Sequence, residues 1–267
     1  MLNRTLLKSL MALIVSMTLS APIAAENYVE GVHYEAIDIP VKTGLEGEQP
    51  PKVEVVEVFS YMCIHCYSFD PLLKLWEQGK AEQAVFNRLP AVFSADWALM
   101  AQAFYTAEIL NVSAQMHEPL FEAIHKQPKN LRDEDIMAAL FLEHAEIPAA
   151  EFTKSFNSFF VRSRVMQAQA KGRAYGITGV PVMIVNGKYR VGGQMAGSNE
   201  AMLDVVDFLV QRELAGDAWL TRSLGARATR LRPLLFSAVA SALVAPIPDS
   251  TGNCPSPRTC LYQLLFI

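Results

Sequence analysis

The clearest pattern along the chain is an apolar run at residues 53–61, Val-Glu-Val-Val-Glu-Val-Phe-Ser-Tyr. Apolar side chains occupy both alternating sets of positions, which is typical of a strand that is covered on both faces. A helical spacing follows as far as Trp76, and Pro71 is expected to kink or restart that helix. Residues 84–93 then predict a second strand.

From Asp96 onward the spacing of apolar residues changes to that of helices. Trp97 and Phe104 share one helical stripe, and Asp96 is expected to cap the helix that carries them. Helical patterns continue to residue 170, and Asn130 is expected to start a further helix. This stretch therefore predicts an inserted block that is entirely helical.

The strand pattern returns at residues 182–185, and Asn186-Gly187 predicts a hairpin turn into a strand at residues 189–191. Ser198 is expected to cap a last helix. This order of elements predicts an α/β protein with a thioredoxin-like fold and an inserted all-helical domain. The predicted segments are a signal peptide (1–25), an N-terminal extension (26–50), the first half of the thioredoxin-like domain (51–95), the helical insertion (96–170), the second half of that domain (171–215) and an atypical tail (216–267).

The first 25 residues have the three parts of an export signal. Arg4 and Lys8 supply positive charge, an apolar stretch follows, and Ala24 and Ala25 precede the expected cleavage point. The apolar stretch is shorter than the roughly 20 residues that a membrane span needs. Cleavage near Ala25 and a periplasmic location are therefore expected, with a membrane anchor as the competing interpretation.

Composition narrows the classes of function. The 267 residues include 23 Lys and Arg and 27 Asp and Glu, for a net charge of −4, and 51% of them are hydrophobic. That apolar fraction is enough to build a buried core, and the acidic balance provides no basic face for nucleic acid. Nucleic acid is therefore not an expected partner.

Cys63 and Cys66 are the only cysteines in the first 253 residues, and they lie where the first strand gives way to its helix. A C-x-x-C pair at such a junction is typical of a redox-active dithiol. A zinc site is the alternative, but one pair is half of a structural site, and Cys254 and Cys260 belong to the atypical tail. The favoured interpretation is a catalytic dithiol.

The start of the helix indicates how this pair would react. Cys63 is predicted at the first helical position, where free backbone N–H groups and the helix dipole lower the pKa of a thiol. Cys66, one turn further on, is predicted to be the buried partner. His65 would add its charge or a hydrogen bond to the Cys63 sulfur, and a histidine that only fills the dipeptide is the alternative. A stabilised thiolate makes the disulfide form an oxidant.

Three histidines in or beside the helical block lie outside this motif: His117, His125 and His144. No two of them form a metal-binding pair with a nearby carboxylate. Each is therefore interpreted as a surface or packing residue without a functional role.

Three segments together resemble the DsbA family of periplasmic thiol oxidases over about residues 28–214. The segments are Phe-Ser-Tyr-Met-Cys-Ile-His-Cys-Tyr at 59–67, Phe-Glu-Ala-Ile-His-Lys at 121–126, and Thr-Gly-Val-Pro at 178–181 followed by Val-Asn-Gly-Lys-Tyr at 185–189. The resemblance implies a monomeric exported oxidase, without bound cofactor or metal, that gives its disulfide to newly translocated cysteine-containing proteins. It also implies re-oxidation by a quinone-coupled membrane oxidase of the DsbB type.

The resemblance also suggests which residues meet the substrate. Val180-Pro181 looks like the cis-proline loop that faces the dithiol in thioredoxin-like folds, where the backbone of the residue before proline pairs with an extended substrate. An apolar surface around the dithiol would accept unfolded chains of many sequences. Met62 is expected to face this substrate groove, and Phe59 is expected to lie in the core.

Glu57 is a candidate for proton exchange. Alternation along the first strand directs its carboxylate toward the core just below the dithiol, where burial would raise its pKa. The matching glutamate of the family implies that Glu57 exchanges protons with Cys66, and Arg88 is expected beside it. A glutamate exposed at a sheet edge is the alternative interpretation.

Two features depart from the family pattern. Ile64 stands where relatives usually have proline, so the strength of the oxidant does not follow from the resemblance, although its direction does. Residues 216–267 contain five arginines and no lysine and are predicted to be disordered or outside the core. The alternative is a membrane-associating tail closed by a disulfide between Cys254 and Cys260.

Two other functions remain open from the sequence. A disulfide reductase or isomerase of the same fold would use the same dithiol, although isomerases of this type usually add a dimerisation domain, for which residues 26–50 look too short. A thiol-dependent chaperone or metal carrier would bind without turnover. Replacing Cys66 separates binding from catalysis, because substrate then stays attached to Cys63.

Overall fold

The computed structural model describes residues 28–45, 51–80 and 82–216. Its strands are β1 (Glu35–Ala36), β2 (Val53–Phe59), β3 (Ala84–Pro90), β4 (Val182–Val185) and β5 (Tyr189–Gly192). Its helices are α1 (Ile64–Lys80), α2 (Ala95–Ile109), α3 (Ser113–His125), α4 (Glu134–Ala145), α5 (Ala149–Phe156), α6 (Phe159–Ala174), α7 (Gly193–Ala196) and α8 (199–216). The predicted α/β order with an inserted helical block is confirmed.

The five described strands form one mixed sheet in the order β1-β5-β4-β2-β3. β2 pairs with β3 in parallel and with β4 in antiparallel orientation, so it has a neighbour on each side. All seven of its residues are buried. The prediction that the first apolar run forms a strand covered on both faces is therefore confirmed.

The two faces of β2 contribute to two hydrophobic clusters. Val53 and Val55 pack with α1 and α8, whereas Val56 and Val58 pack with the helices of the insertion. Alternating side chains of a strand point to opposite faces, which explains why nearly every position of this segment is apolar. The sheet is thus a layer between α1 with α8 and the helical block.

The predicted hairpin and the last cap are both present. Asn186 and Gly187 are the two central residues of the turn between β4 and β5, with φ angles of 52° and 61°, and the N–H of Lys188 donates to the carbonyl of Val185 at 3.0 Å. A Cβ on Gly187 would lie 1.9 Å from the carbonyl oxygen of Val41, so close packing also demands glycine there. The Ser198 hydroxyl accepts a hydrogen bond from the N–H of Ala201 at 3.1 Å and caps α8.

Several predicted boundaries were wrong. β2 ends at Phe59 and β3 at Pro90, both shorter than predicted, and α6 carries the helical block on to Ala174. α1 also continues through Pro71 without a break. Proline removes one helical hydrogen bond, but the buried apolar face of α1 on the sheet offsets that loss.

Two predicted helix caps were also wrong. Ser94, not Asp96, caps α2 by accepting the N–H of Trp97 at 3.4 Å, and Asp96 instead accepts a 2.7 Å hydrogen bond from Arg132. Asp133, not Asn130, caps α4. In both cases the observed cap, Ser94 or Asp133, has a side-chain oxygen within reach of the first free N–H groups of the helix. Apolar periodicity alone does not identify which polar residue does so.

Some predictions fall on parts of the chain outside the described residues. These are the signal peptide at 1–25, the tail from 217 onward, and Cys254 and Cys260. Within the described residues, none of the helices is both long enough and apolar enough to cross a membrane.

Candidate active site

A short turn joins the end of β2 to α1, which begins at Ile64 and not at Cys63 as predicted, so Cys63 directly precedes the helix and Cys66 lies in its first turn. The N–H of Cys63 donates to the carbonyl of Ser60 at 3.0 Å and closes that turn. The N–H of Cys66 donates to the Cys63 sulfur at 3.4 Å. Cys63 is partly exposed and Cys66 is fully buried, so a substrate thiol can reach only Cys63.

The surroundings lower the pKa of one thiol and raise that of the other. A hydrogen bond from the Cys66 thiol, then backbone N–H groups of Cys66 and His65 and the charge of His65, lower the pKa of Cys63 to about 6 against the effect of burial. Burial, the hydrogen bond to Cys63 and the Cys63 charge raise the pKa of Cys66. At neutral pH the reduced pair is therefore a thiolate at Cys63 and a thiol at Cys66.

The loop before β4 faces the dithiol. The peptide bond between Val180 and Pro181 is cis, as the family resemblance implied. The Cys63 sulfur lies 3.6 Å from the carbonyl oxygen of Val180. The sequence places these residues 117 positions apart, and the fold brings them into contact.

Glu57 is buried beneath this site, with an exposed fraction of 1%. Burial raises the pKa of Glu57 to about 7, although Arg88 opposes the shift. Arg88 donates from Nε to Glu57 Oε2 at 3.0 Å, and Oε1 has no hydrogen-bond partner in the described part of the chain. The expected burial and the expected position of Arg88 are confirmed, and the edge-exposed alternative is wrong.

Comparison with known proteins agrees with this geometry. A sequence model of the DSBA-like thioredoxin domain matches residues 73–203. The thiol:disulfide interchange protein DsbA of Pseudomonas aeruginosa is 38% identical over 191 residues, which cover 72% of this chain and 88% of that protein. The chain belongs to the DsbA family. The DsbA of Azotobacter vinelandii is 42% identical over 165 residues, covering 62% of this chain and 77% of that protein.

Solved DsbA structures share the fold. The crystal structure of Pseudomonas aeruginosa DsbA superposes with a TM-score of 0.67 at 36% identity, covering 73% of this chain and 98% of that chain. The DsbA of Xylella fastidiosa gives 0.64 at 33% identity, covering 70% and 98%. The chain is therefore a disulfide oxidoreductase that carries out thiol:disulfide interchange, as its DsbA relatives are named.

His65 acts on Cys63 through its backbone and its charge. Its side chain is exposed, and its N–H donates to the Cys63 sulfur. Among the described residues, the structure records no hydrogen bond from the His65 ring to that sulfur, so of the two predicted alternatives the charge of His65 is the one that acts on Cys63.

An apolar surface surrounds the dithiol of this DsbA-family protein. Met62 and Ile64 flank Cys63 and are exposed to 37% and 52%. Phe93 is 48% exposed and follows β3, whose carboxyl end lies beside that of β2 because the two strands are parallel. Phe59 is fully buried, which confirms its predicted place in the core, whereas Met62 is exposed and its contact with substrate stays a prediction.

Two histidines that the sequence interpretation left without a role contact the turn before Cys63. His125 donates from Nε2 to the backbone carbonyl of Tyr61 at 2.7 Å and stacks on Tyr67 with ring centroids 5.2 Å apart. His117 accepts a hydrogen bond from the Tyr61 hydroxyl at 3.0 Å. Both lie on α3, so the helical insertion holds the turn that carries the reactive sulfur.

Asp70 is a further site residue that sequence reasoning missed. It is 5% exposed and accepts hydrogen bonds from His117 at 2.9 Å and from Arg88 at 3.1 Å. Burial raises the pKa of Asp70, but the His117 hydrogen bond, the nearby positive charges and Lys74 lower it to about 2. A signal was available, because Asp70 lies four residues after Cys66 and three before Leu73 on the same helical stripe, and a buried charge needs partners.

Metal binding receives no support from side-chain clustering. In the ranges that the structure describes, no group of three or more His, Cys, Asp or Glu side chains is arranged to hold a metal ion.

Proposed function

We propose that this protein is an oxidant in the periplasm, where it transfers its Cys63–Cys66 disulfide to newly exported proteins. The observation that carries the proposal is the opposite displacement of the two thiol pKa values. A thiolate that is stabilised in the reduced enzyme makes the disulfide form easier to reduce. DsbA proteins themselves exemplify this relation, which here supports the direction of the effect and not its size.

The reaction conserves electrons between two dithiols. A substrate thiolate attacks the Cys63 sulfur of the oxidised pair, the Cys63–Cys66 bond breaks, and the sulfur of Cys66 leaves with the bonding electrons. A second substrate thiolate attacks the substrate sulfur of the mixed disulfide, and Cys63 leaves as a thiolate. The substrate is oxidised to a disulfide, and the enzyme gains two electrons.

Glu57 supplies the proton that Cys66 needs when it leaves. The raised pKa of Cys66 makes its thiolate a poor leaving group unless a proton is delivered. Glu57 has a pKa near neutrality, and its Oε1 is buried without a hydrogen-bond partner among the described residues. A carboxyl group in this state can donate and recover a proton at neutral pH.

Substrate binding uses the cis-proline loop and the exposed side chains beside it. The Val180 backbone, in contact with the Cys63 sulfur, pairs with an extended segment of substrate next to its cysteine. Met62 contacts apolar side chains of the unfolded chain, and the flexible thioether of methionine adapts to many sequences. Pro181 gives the loop a surface without a backbone donor of its own.

The cycle needs an acceptor for the two electrons. We propose a quinone-coupled membrane oxidase of the DsbB type, with the enzyme acting as a monomer after removal of residues 1–25. The family membership supports this partner. The mass of the exported protein tests the proposed export, because removal of residues 1–25 leaves a chain that begins at Glu26.

The reduction potential of the Cys63–Cys66 pair tests the proposal. The purified exported protein is equilibrated with glutathione redox buffers, and the oxidised fraction is measured by alkylation of free thiols. A potential well above roughly −180 mV is expected of an oxidant. A value near about −270 mV would show a thioredoxin-like reductant and would overturn the proposed direction.

A further inference from the structure

His117 joins the turn before Cys63 to a buried group of charges. The ring lies 3.0 Å from the Tyr61 hydroxyl through Nδ1 and 2.9 Å from Asp70 through Nε2. An ionised carboxylate can only accept, so Nε2 carries the proton. Nδ1 then accepts from the Tyr61 hydroxyl, and a neutral ring satisfies both partners at once.

The buried charges continue from Asp70 to Glu57. Arg88 donates through one terminal nitrogen to Asp70 at 3.1 Å and through Nε to Glu57 at 3.0 Å. The two carboxylates therefore share one guanidinium. The hydrogen bonds run without a break from Tyr61 through His117, Asp70 and Arg88 to Glu57.

Charged groups from several helices and strands act on this series of hydrogen bonds. Those that face His117 are Asp70 and Lys74 of α1 and Arg88 of β3, together with the Tyr61 hydroxyl. Glu118, the neighbour of His117 on α3, lies 3.6 Å from Lys74. Those that act on Glu57 are Arg88, Asp70 and Cys63. His117 is thus the residue through which α3 contacts the buried charges near the dithiol.

We propose that His117 is a positioning residue for the dithiol reaction, which holds Asp70 so that Arg88 remains shared with Glu57 and thereby sets the protonation of Glu57. The inference rests on the proposed proton exchange between Glu57 and Cys66. Two carboxylates compete for Arg88. When Asp70 loses the hydrogen bond from His117, it draws Arg88 toward itself, and Glu57 holds its proton more tightly.

The reduction potential measured against pH tests this coupling. A group whose proton affinity differs between the reduced and oxidised enzyme puts a change of slope into that curve. For the native protein the change caused by Glu57 is expected near pH 7, above the change near 6 that the Cys63 thiol causes in the reduced form. In His117→Phe we expect it to move upward by roughly half a pH unit or more.

Matched variants separate the coupling from general damage. His117→Gln keeps an N–H for Asp70 and should return the slope change toward its native position. His144→Phe removes a histidine of α4 that lies 3.8 Å from the carboxylate of Glu143, and should leave the curve unchanged. Glu57→Gln should abolish the slope change near pH 7 and leave the one that the Cys63 thiol causes near 6, and adding His117→Phe should shift nothing further near 7.

The outcomes decide the proposal in either direction. A folded His117→Phe protein with an unmoved slope change overturns it, as does an equal shift in His144→Phe or a shift that persists in the Glu57→Gln background. If His117→Phe loses its native near-ultraviolet circular dichroism, His117→Asn replaces it, because the shorter amide reaches Tyr61 but not Asp70. A strongly reducing potential with a His117-dependent slope change would sink the oxidase proposal and leave this one standing.

Discussion

The two sulfurs of the site lie one helical turn apart, yet they belong to different regions of the molecule. Cys63 is in the turn at the surface, where backbone N–H groups and a hydrogen bond from Cys66 lower its pKa to about 6. Cys66 lies in the buried region above Glu57, where the loss of solvent raises the pKa of its thiol. The same residue type therefore has opposite acidity in the two regions.

The difference shows that position along a helix and depth in the protein act separately on a thiol. Helix N–H groups stabilise an anion only within the first turn, whereas burial penalises an anion everywhere. Thiol:disulfide interchange uses both effects, because one sulfur has to accept attack from outside and the other has to leave and return. The difference between the two sulfurs can be tested by replacing either cysteine or the groups that surround it.

The largest effect is expected from replacing each cysteine by serine. Cys63→Ser should abolish disulfide transfer completely, because no accessible sulfur remains. Cys66→Ser should also stop turnover but should accumulate a mixed disulfide with substrate on Cys63. Non-reducing gels with mass spectrometry of the adducts measure this. Equal trapping by both variants would contradict the division of roles.

The next effect concerns the proton supply to the buried sulfur. Glu57→Gln should slow the step in which Cys66 leaves by on the order of 10²-fold at neutral pH, the low end of acid–base catalysis. Single-turnover oxidation of a model peptide measures that rate. Glu54→Gln is the matched control, since Glu54 is also buried on β2 but lies in contact with Asn87. A similar loss in both variants would indicate damage to the strand and no proton transfer.

The Cys63 thiolate, which exists only in the reduced protein, should add a pH dependence to the free energy of unfolding of that form. The pKa of Cys63 is about 6 in the folded reduced protein and near 9.0 when unperturbed, so the unfolded chain binds more protons between these values. The contribution of the Cys63 thiolate to the free energy of unfolding is therefore complete above about pH 9 and is lost as the pH falls through about 6. Denaturant unfolding of both redox forms checks this. Parallel curves for the reduced and oxidised proteins would refute it.

The smallest effect is expected from the apolar rim. Met62→Ala should raise KM for unfolded cysteine-containing peptides about fivefold, which corresponds to ~1 kcal/mol of apolar contact, and should leave kcat nearly unchanged. Steady-state oxidation of such peptides measures both constants. Leu75→Ala, at an exposed position of α1, is the control. An unchanged KM in the Met62 variant would remove this residue from the substrate surface.

Sequence patterns predicted which strands and helices surround this site better than they predicted where those elements begin and end. Apolar runs and turn residues located β2, the hairpin at Asn186-Gly187 and the cap at Ser198, because these features depend on neighbours in sequence. The caps of α2 and α4 were misplaced by a few residues, since several polar residues nearby could fill the same role. Such choices depend on which oxygen meets the free N–H groups once the helix is packed.

The buried polar partners were harder to predict. Glu57 was found because strand alternation directed it to the core, and Arg88 followed from the family. Asp70 and His117 are also buried, but neither was predicted as a site residue, and the identity of their partners depends on how α1, α3 and β3 meet. A rule that every buried charge needs a partner would have selected them as candidates without pairing them.

The sequence by itself determined the dithiol, its place at a strand-to-helix turn and the order of elements around it. These depend on residue type and on local periodicity, which a chain carries along its length. Only the tertiary structure decided that Val180 faces the Cys63 sulfur, that Cys66 is fully buried and that His117 connects Tyr61 to the charges around Glu57. Contacts between residues far apart in sequence, and the burial that shifts a pKa, exist only when distant elements pack together.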